Sequence, residues 1–480
     1  MINIVWLKRD LRTQDHEPFN LAYDGINKIF PVYIFDTEIV KKKDFSSRHF
    51  HFIYNSILDI NETLKKFNII VTIFYGSTID VFQYLNRKLK INKVFSYNET
   101  NNLIHLKKNN EIKIFLKKHN ITWELSSKNG VISNIVNRKN WDKRWYSYVN
   151  DNLIENKFRK QENIDIENPF IIPNKIYKKL QKYPEELQLS GETKAWKVLN
   201  DFINNRSQNY SKNISSPLNS RYSCSRISTY LAWGNVSIRQ VFKFVKNNEK
   251  YNTNKRNLNS FLIRLKWNSH FVQKFHVEPR YQNECINRGY ENLERTNKID
   301  HLNAWKNGST GFPFIDACMK SLIKTGWLNF RMRAMLVSFL CHHLDTDWRL
   351  GVNFLARQFL DYEPGIHYTQ FQMQAGTTGI NTLRIYNPVK QSQDQDPKGI
   401  FIKEWLPELR DLNKDQIHEP WIQNNIEQNL FFKENNLYYK PIIDHIESGR
   451  LARKKNWSFK KNLSVKKENK RMVLMHTRNN

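Results

Sequence analysis

The chain has 480 residues, with 76 Lys and Arg against 46 Asp and Glu, a formal net charge of +30 and a pI near 9.7. That length exceeds what one hydrophobic core usually supports, so two domains and a tail are expected. No apolar run reaches the roughly 18 residues a membrane helix needs, and the first residues run straight into a strand-like segment. Cys224, Cys285, Cys318 and Cys341 lie far apart without a CxxC pair. This argues against a zinc or disulfide framework and predicts a monomeric, cytoplasmic protein in a reducing compartment, with no metal. The basic charge suits a polyanion such as nucleic acid, because Lys and Arg that neutralise phosphates release counterions. An AT-rich genome, with its excess of Lys, Asn and Ile, gives the same balance, and basic runs are usually solvated faces.

In chain order, short β-branched or aromatic runs come first: Ile2 to Leu7, Ile29 to Phe35, Ile69 to Tyr75, Val94 to Tyr97 and Ile121 to Leu125. Between two of them Phe50, Ile53, Ile57, Ile60 and Leu64 recur at steps of three and four, one face of a helix. Val81, Phe82, Leu85 and Leu89 repeat that pattern after the turn and cap residues Gly76, Ser77 and Thr78. Strands alternating with helices predict an α/β doubly wound parallel sheet over residues 1–130. Residues 131–190 lose the pattern and read as an interdomain connector with an aromatic knot at Trp141, Trp145 and Tyr146. Longer, Trp- and Phe-rich helical segments make 191–450 an all-α domain, and the basic tail 451–480 is expected to fray.

The segment SCSRISTYLAWGN, from Ser223 to Asn235, puts hydroxyls and backbone N–H groups at a helix start. That suits a phosphate at the positive helix end, although a Ser N-cap beside a solvated Arg gives the same pattern. Further segments follow: HLNAWKNGSTGFPFIDACM from His301, TGWLNFRMRAMLVSFL from Thr325, DWRLGVNFLARQFLDYEPG from Asp347, RIYNP from Arg384 and FIKEWLPELRDLNKDQIHEPW from Phe401. These, in this order, resemble the cryptochrome/DNA photolyase family, and the opening VWLKRDLRTQDHEPF resembles the start of its antenna domain. The resemblance spans nearly the whole chain.

It implies an N-terminal α/β antenna domain joined to an all-α domain that holds FAD. A second antenna chromophore, of pterin or flavin type, stays open, since Tyr97, Asn98 and Glu99 lie near the pterin stretch without its usual residues. The implied partner is DNA carrying a flipped-out pyrimidine lesion. Carried over residue by residue, Cys224, Ser225, Arg226, Ile227 and Ser228 match the loop on the FAD phosphates, with Cys224 where Thr is usual, and Tyr210 lies near a cofactor-contacting Tyr. Trp327 joins this lining. Arg333 and Asp361 match a buried ion pair beside the isoalloxazine ring. Asp361, Tyr362 and Glu363 fill the Asp-x-Asp position, and His367 stands where a side chain, usually Asn, faces the flavin N5. A His there either titrates near neutral pH or sits neutral and hydrogen-bonded.

Trp305 and Trp348 match the outer members of a Trp chain carrying electrons from the surface. Phe371 takes the innermost place and breaks that chain or reroutes it through Trp327, Tyr362 or Tyr368. On the substrate side Trp267 matches an aromatic pressed against the lesion. Arg264 replaces a Glu, Met373 a second stacking Trp, and Phe330 an Asn, all of which depart from cyclobutane-dimer repair. The (6-4) His pair is absent, with Asn329 and Phe330 in its place. Light-driven DNA repair leads, with a cryptochrome photoreceptor second and a nucleotide-binding protein without light chemistry third.

Overall fold

The computed structural model describes residues 1–476 apart from 101, 134, 136–137, 423–437 and 439. The five β-branched runs form β1 (Ile2–Leu7), β2 (Lys28–Asp36), β3 (Thr72–Gly76), β4 (Ile91–Tyr97) and β5 (Thr122–Ser126). They pair in parallel in the order β3-β2-β1-β4-β5. β1 and β2 are apolar almost throughout because both sheet faces are covered. Val5, Leu7, Tyr33 and Phe35 point into one core, and Ile4, Trp6, Val32 and Ile34 into the other. Pro31 sits in an internal strand without breaking a ladder on its outer side, since β3 starts pairing only at Val32.

The crossover helices are α1 (Ser47–Leu64), α2 (Thr78–Lys88) and α3 (Leu103–Lys118). α1 buries Phe50, Ile53, Ile57, Ile60 and Leu64, the stripe read from the sequence. Between 131 and 190 the chain forms α4 (Trp141–Asn150), with Trp141 and Trp145 buried, then runs along the sheet without regular structure before a short helix at Asn174–Leu180. Asn156 bonds Gln14 and His16, Gln161 bonds Ile29, and Tyr75 N donates to Phe170 O.

The rest is helical. Its principal elements are α5 (Ser228–Trp233), α6 (Ile238–Lys246), α7 (Lys255–Val277), α8 (Ile299–Asn307), α9 (Pro313–Thr325), α10 (Phe330–Ser338), α11 (Trp348–Gln358), α12 (Pro364–Ala375), α13 (His445–Lys460) and α14 (Leu463–His476). α7 packs on α12, and α12 on α10 and α11, around a core that includes Phe275, Met335, Leu355 and Phe371. The four cysteines are buried free thiols.

The tail corrects its expectation of fraying. It is helical through His476, because Val465, Met472 and His476 are buried. His476 Nε2 meets Glu278 Oε2 at 2.5 Å, and Arg471 donates to Glu278 Oε1 at 2.8 Å. Asn287 donates to the Val465 carbonyl at 3.1 Å, so α14 is fixed at both ends.

The sheet and the helices share one core, in which Phe52 of α1 meets Tyr230 of α5. Arg9, just beyond β1, donates to the Tyr362 carbonyl at 2.7 Å, approaches Glu363 to 3.8 Å and stacks on Trp233 at 4.3 Å.

Candidate functional site

Three guanidinium groups lie in or near the loop before α5, Arg226 within it and Arg206 and Arg221 on neighbouring segments. Arg226 has φ of +58°, a left-handed backbone that a non-glycine residue adopts only where its surroundings enforce it. Its guanidinium lies 4.1 Å over the Trp327 ring, and burial pushes its pKa down to about 10. Nη2 has a long contact of 3.4 Å to Gln188, while Nε has no partner among the described residues. Arg206 donates to the Cys224 and Ser225 carbonyls and is braced by Asp201 at 2.5 Å, which fixes the path of the loop. Arg221 donates to Ser321 Oγ at 2.5 Å and Thr325 Oγ1 at 3.3 Å. The motif spacing singled out neither Arg206 nor Arg221.

Around this loop the Oγ of Ser211, the Oγ1 of Thr229 and the Oδ1 of Asn329 are buried and without partners among the described residues. Buried polar atoms are nearly always matched, so orphans gathered about a desolvated guanidinium fit an anionic, hydroxyl-bearing ligand. Cys224 is buried, with its thiol pushed up to about 12 by desolvation, so it is inert. Ile227 is core, and Ser225 Oγ accepts a long bond from Ile227 N at 3.4 Å. Tyr210 is buried between Phe202 and Phe261, with the Arg264 charge nearby.

One layer in, Arg333 Nη1 and Nη2 donate to Asp361 Oδ1 and Oδ2 at 3.0 and 2.8 Å, a bidentate pair, and Nε donates to Leu328 O at 2.6 Å. The two residues after Asp361 turn toward the sheet. Tyr362 OH donates to Asp44 Oδ2 at 2.7 Å, and Glu363 caps α12 through Gly365 N while facing Arg9. His367 Nε2 donates to the Val352 carbonyl at 2.8 Å, and burial pushes its pKa down to about 4. Burial and that bond favour the neutral, hydrogen-bonded alternative. The His367 ring packs edge-on against Tyr362, Tyr368 and Phe371 at 5.3 to 5.8 Å.

The expectation that Trp305 opens onto the surface is corrected too. Trp305 is fully buried, with Nε1 donating to Leu336 O at 3.0 Å and its ring against Phe354. Trp348 is buried at the start of α11 and lines a small cavity with Ala375, one turn past Phe371. Tyr368 stacks on Phe275 at 5.7 Å.

The expected substrate residues divide. Arg264 and Trp267 lie one turn apart on α7, both exposed, with the guanidinium 4.5 Å over the indole. Phe330 is exposed at the start of α10. Met373 does not face an open surface as expected of a lesion contact. It lines a small cavity closed by Met472 and His476 of α14.

A separate cavity of about 80 Å³ lies at the carboxyl ends of β1 and β2, lined by Trp6, Tyr33, Asp36, Glu99, Lys108 and Tyr362 among others. β4 leaves on the opposite side of β1 from β2, so this is the sheet's switch point, where open α/β sheets bind ligands. Tyr97 is occupied otherwise, its hydroxyl accepting from Arg12 and from Glu17 N.

Among the described residues no helix is long and apolar enough to cross a membrane. Residues 3–140 match the DNA photolyase model, and residues 261–458 match the FAD binding domain of DNA photolyase. Cryptochrome DASH of Synechocystis is 26% identical over 94% of this chain and 97% of its own length. The deoxyribodipyrimidine photo-lyase of Alkalihalophilus pseudofirmus is 34% identical over 55% of this chain, a stretch that takes in only 54% of that protein. The crystal structure of a Synechocystis cryptochrome superposes with a TM-score of 0.84 at 22% identity, covering 95% of this chain and 99% of the other, a likeness of fold. With the parallel sheet, the helical FAD-binding domain and both family models in register along it, the chain belongs to the cryptochrome/DNA photolyase family.

Proposed function

We propose that the chain is a light-driven DNA repair enzyme that acts on a flipped-out pyrimidine lesion. When bound, FAD would supply the light-driven electron-transfer chemistry. The protein's part is to hold, screen and admit. Arg226, with the loop that Arg206 shapes, would hold the cofactor phosphates through charge-assisted bonds. Arg333, matched by Asp361, would hold a fixed positive edge beside the ring system at no net charge. His367, neutral and tied to Val352, would offer that site a constant protonation state. The unmatched polar atoms around the 220–228 loop fit such a ligand.

The repair reading is supported by the basic charge and by Trp267, exposed on α7 with the Arg264 guanidinium over its ring. A cation and an aromatic face at the rim suit an extruded base and its phosphate. The test is to illuminate the reduced protein with oligonucleotides carrying a cyclobutane dimer or a (6-4) product, and to analyse the products. Splitting of either lesion, lost in Trp267→Ala, is expected.

A second reading, photoreception through flavin redox change without repair, is favoured by Arg264 in place of a lesion-contacting Glu and by Met373 lying under α14. FAD-loaded protein that photoreduces but leaves both lesions intact would establish it. The cavity at the switch point of the sheet would take a second, light-harvesting chromophore with an aromatic ring system and polar substituents.

A further inference from the structure

The family's FAD-domain model ends at residue 458, near the end of α13, and the exposed face of that helix plays no part in the site above. α13 is built on two faces. Gly449, Ala452 and Asn456 are buried, and Gly449 lies close enough to the His343 ring that an added Cβ would touch it at 3.4 Å. On the exposed side Lys454, Trp457 and Lys461 fall at steps of three and four, with Lys460 three residues past Trp457. Trp457 is 60% exposed, with Lys460 Nζ 5.8 Å from its ring centroid. None of these three cations forms an ion pair among the described residues, whereas Arg450, one turn before Lys454, is matched by Glu447. An indole that is 60% exposed contributes little to the core, and three unmatched cations on one face repel each other. The face therefore has little packing role.

We propose that this face of α13 is a platform for single-stranded nucleic acid: the cations follow the phosphates and Trp457 stacks an unpaired base. Every base offers a π-face, so such a platform is sequence-tolerant, and bases inside a duplex are not available to it. The inference goes beyond the repair site, since it needs no lesion, light or contact with the flavin. An anionic lipid surface also meets cations and Trp, and the test separates the two.

The experiment uses the full FAD-loaded chain in the dark, with a labelled thymidine 16-mer, a duplex of the same length, and phosphatidylserine vesicles. Trp457→Ala should weaken binding of the 16-mer about tenfold, with Trp457→Phe near wild type and duplex binding changed less than twofold. The triple change Lys454→Gln, Lys460→Gln, Lys461→Gln should lower the log–log salt slope for the 16-mer by about 2. Unchanged 16-mer binding in both variants overturns the proposal. So does loss of vesicle binding alone, which would assign the face to membranes. Lesion splitting is assayed separately, so absent repair with intact Trp457-dependent binding counts only against the repair reading.

Discussion

At the junction between sheet and helices, buried charges are matched on all sides. Arg9 N donates to Glu99 at 2.6 Å, Lys128 reaches Glu99 at 3.2 Å, His16 pairs with Asp10 at 2.9 Å, and Arg239 meets Asp15 at 2.5 Å. Around the 220–228 loop the opposite holds: Arg226 Nε, Thr229 Oγ1 and Asn329 Oδ1 are buried without partners among the described residues. Matched burial orders the chain, because removing one partner strands the other. Unmatched burial costs stability, and the fold tolerates that cost where a ligand completes the set. The Arg333–Asp361 pair stands between these cases, satisfied by itself yet set among the expected cofactor residues.

The largest effect should come from breaking that pair. Asp361→Ala leaves Arg333 uncompensated and is expected to cost about 3–5 kcal/mol in urea denaturation. A loss under 1 kcal/mol would put the pair with ordinary surface bridges.

Next comes acid. His49 and His342 are held down to about 3, and His343 and His367 to about 4, chiefly by burial. Their folded pKa values lie below the unfolded value of about 6.5, so the stabilisation is complete above that pH and is lost as pH falls toward 4. His367→Gln, which can still donate to the Val352 carbonyl, should remove about 3 kcal/mol of the stability lost between pH 6.5 and 4. An unchanged slope would show that His367 opens to water in the native state.

The smallest and most discriminating change is Arg226→Met. FAD retention in equilibrium dialysis should weaken about 10- to 100-fold, from the loss of a charged hydrogen bond worth about 1.5–3 kcal/mol. The FAD-free protein should be no less stable, because a desolvated and poorly matched charge has gone. Destabilisation of the FAD-free form would mean that Arg226 belongs with the matched set at the junction.

The sheet was legible in the sequence because each strand is a short apolar run between polar turns, and all five appear within a few residues of their expected limits. Arg226, Arg333 and Asp361 were legible through the resemblance, which preserves motif order. Arg206 and Arg221 were not, because Arg206 reaches the loop from a neighbouring segment, Arg221 bonds Ser321 and Thr325 of α9, and no local spacing links either to the loop. The α14 anchors escaped notice because Val465 and Met472 stand seven residues apart in a Lys-rich run, too sparse for a periodic signal. The burial of Trp305 depends on Leu336 and Phe354, and the turn of Glu363 toward the sheet depends on Arg9, contacts that local patterns do not encode.

The Arg9 contact bears on the order in which the molecule comes into being. Its guanidinium is made well before the carbonyl it grips, which belongs to residue 362, 353 positions later. At roughly 5–20 residues per second, tens of seconds separate the synthesis of the two. Through that interval the sheet must persist with a cationic side chain at its carboxyl edge that has not met its final acceptor. The nascent domain is therefore most exposed to misassociation at the very edge that later closes against the flavin-binding half.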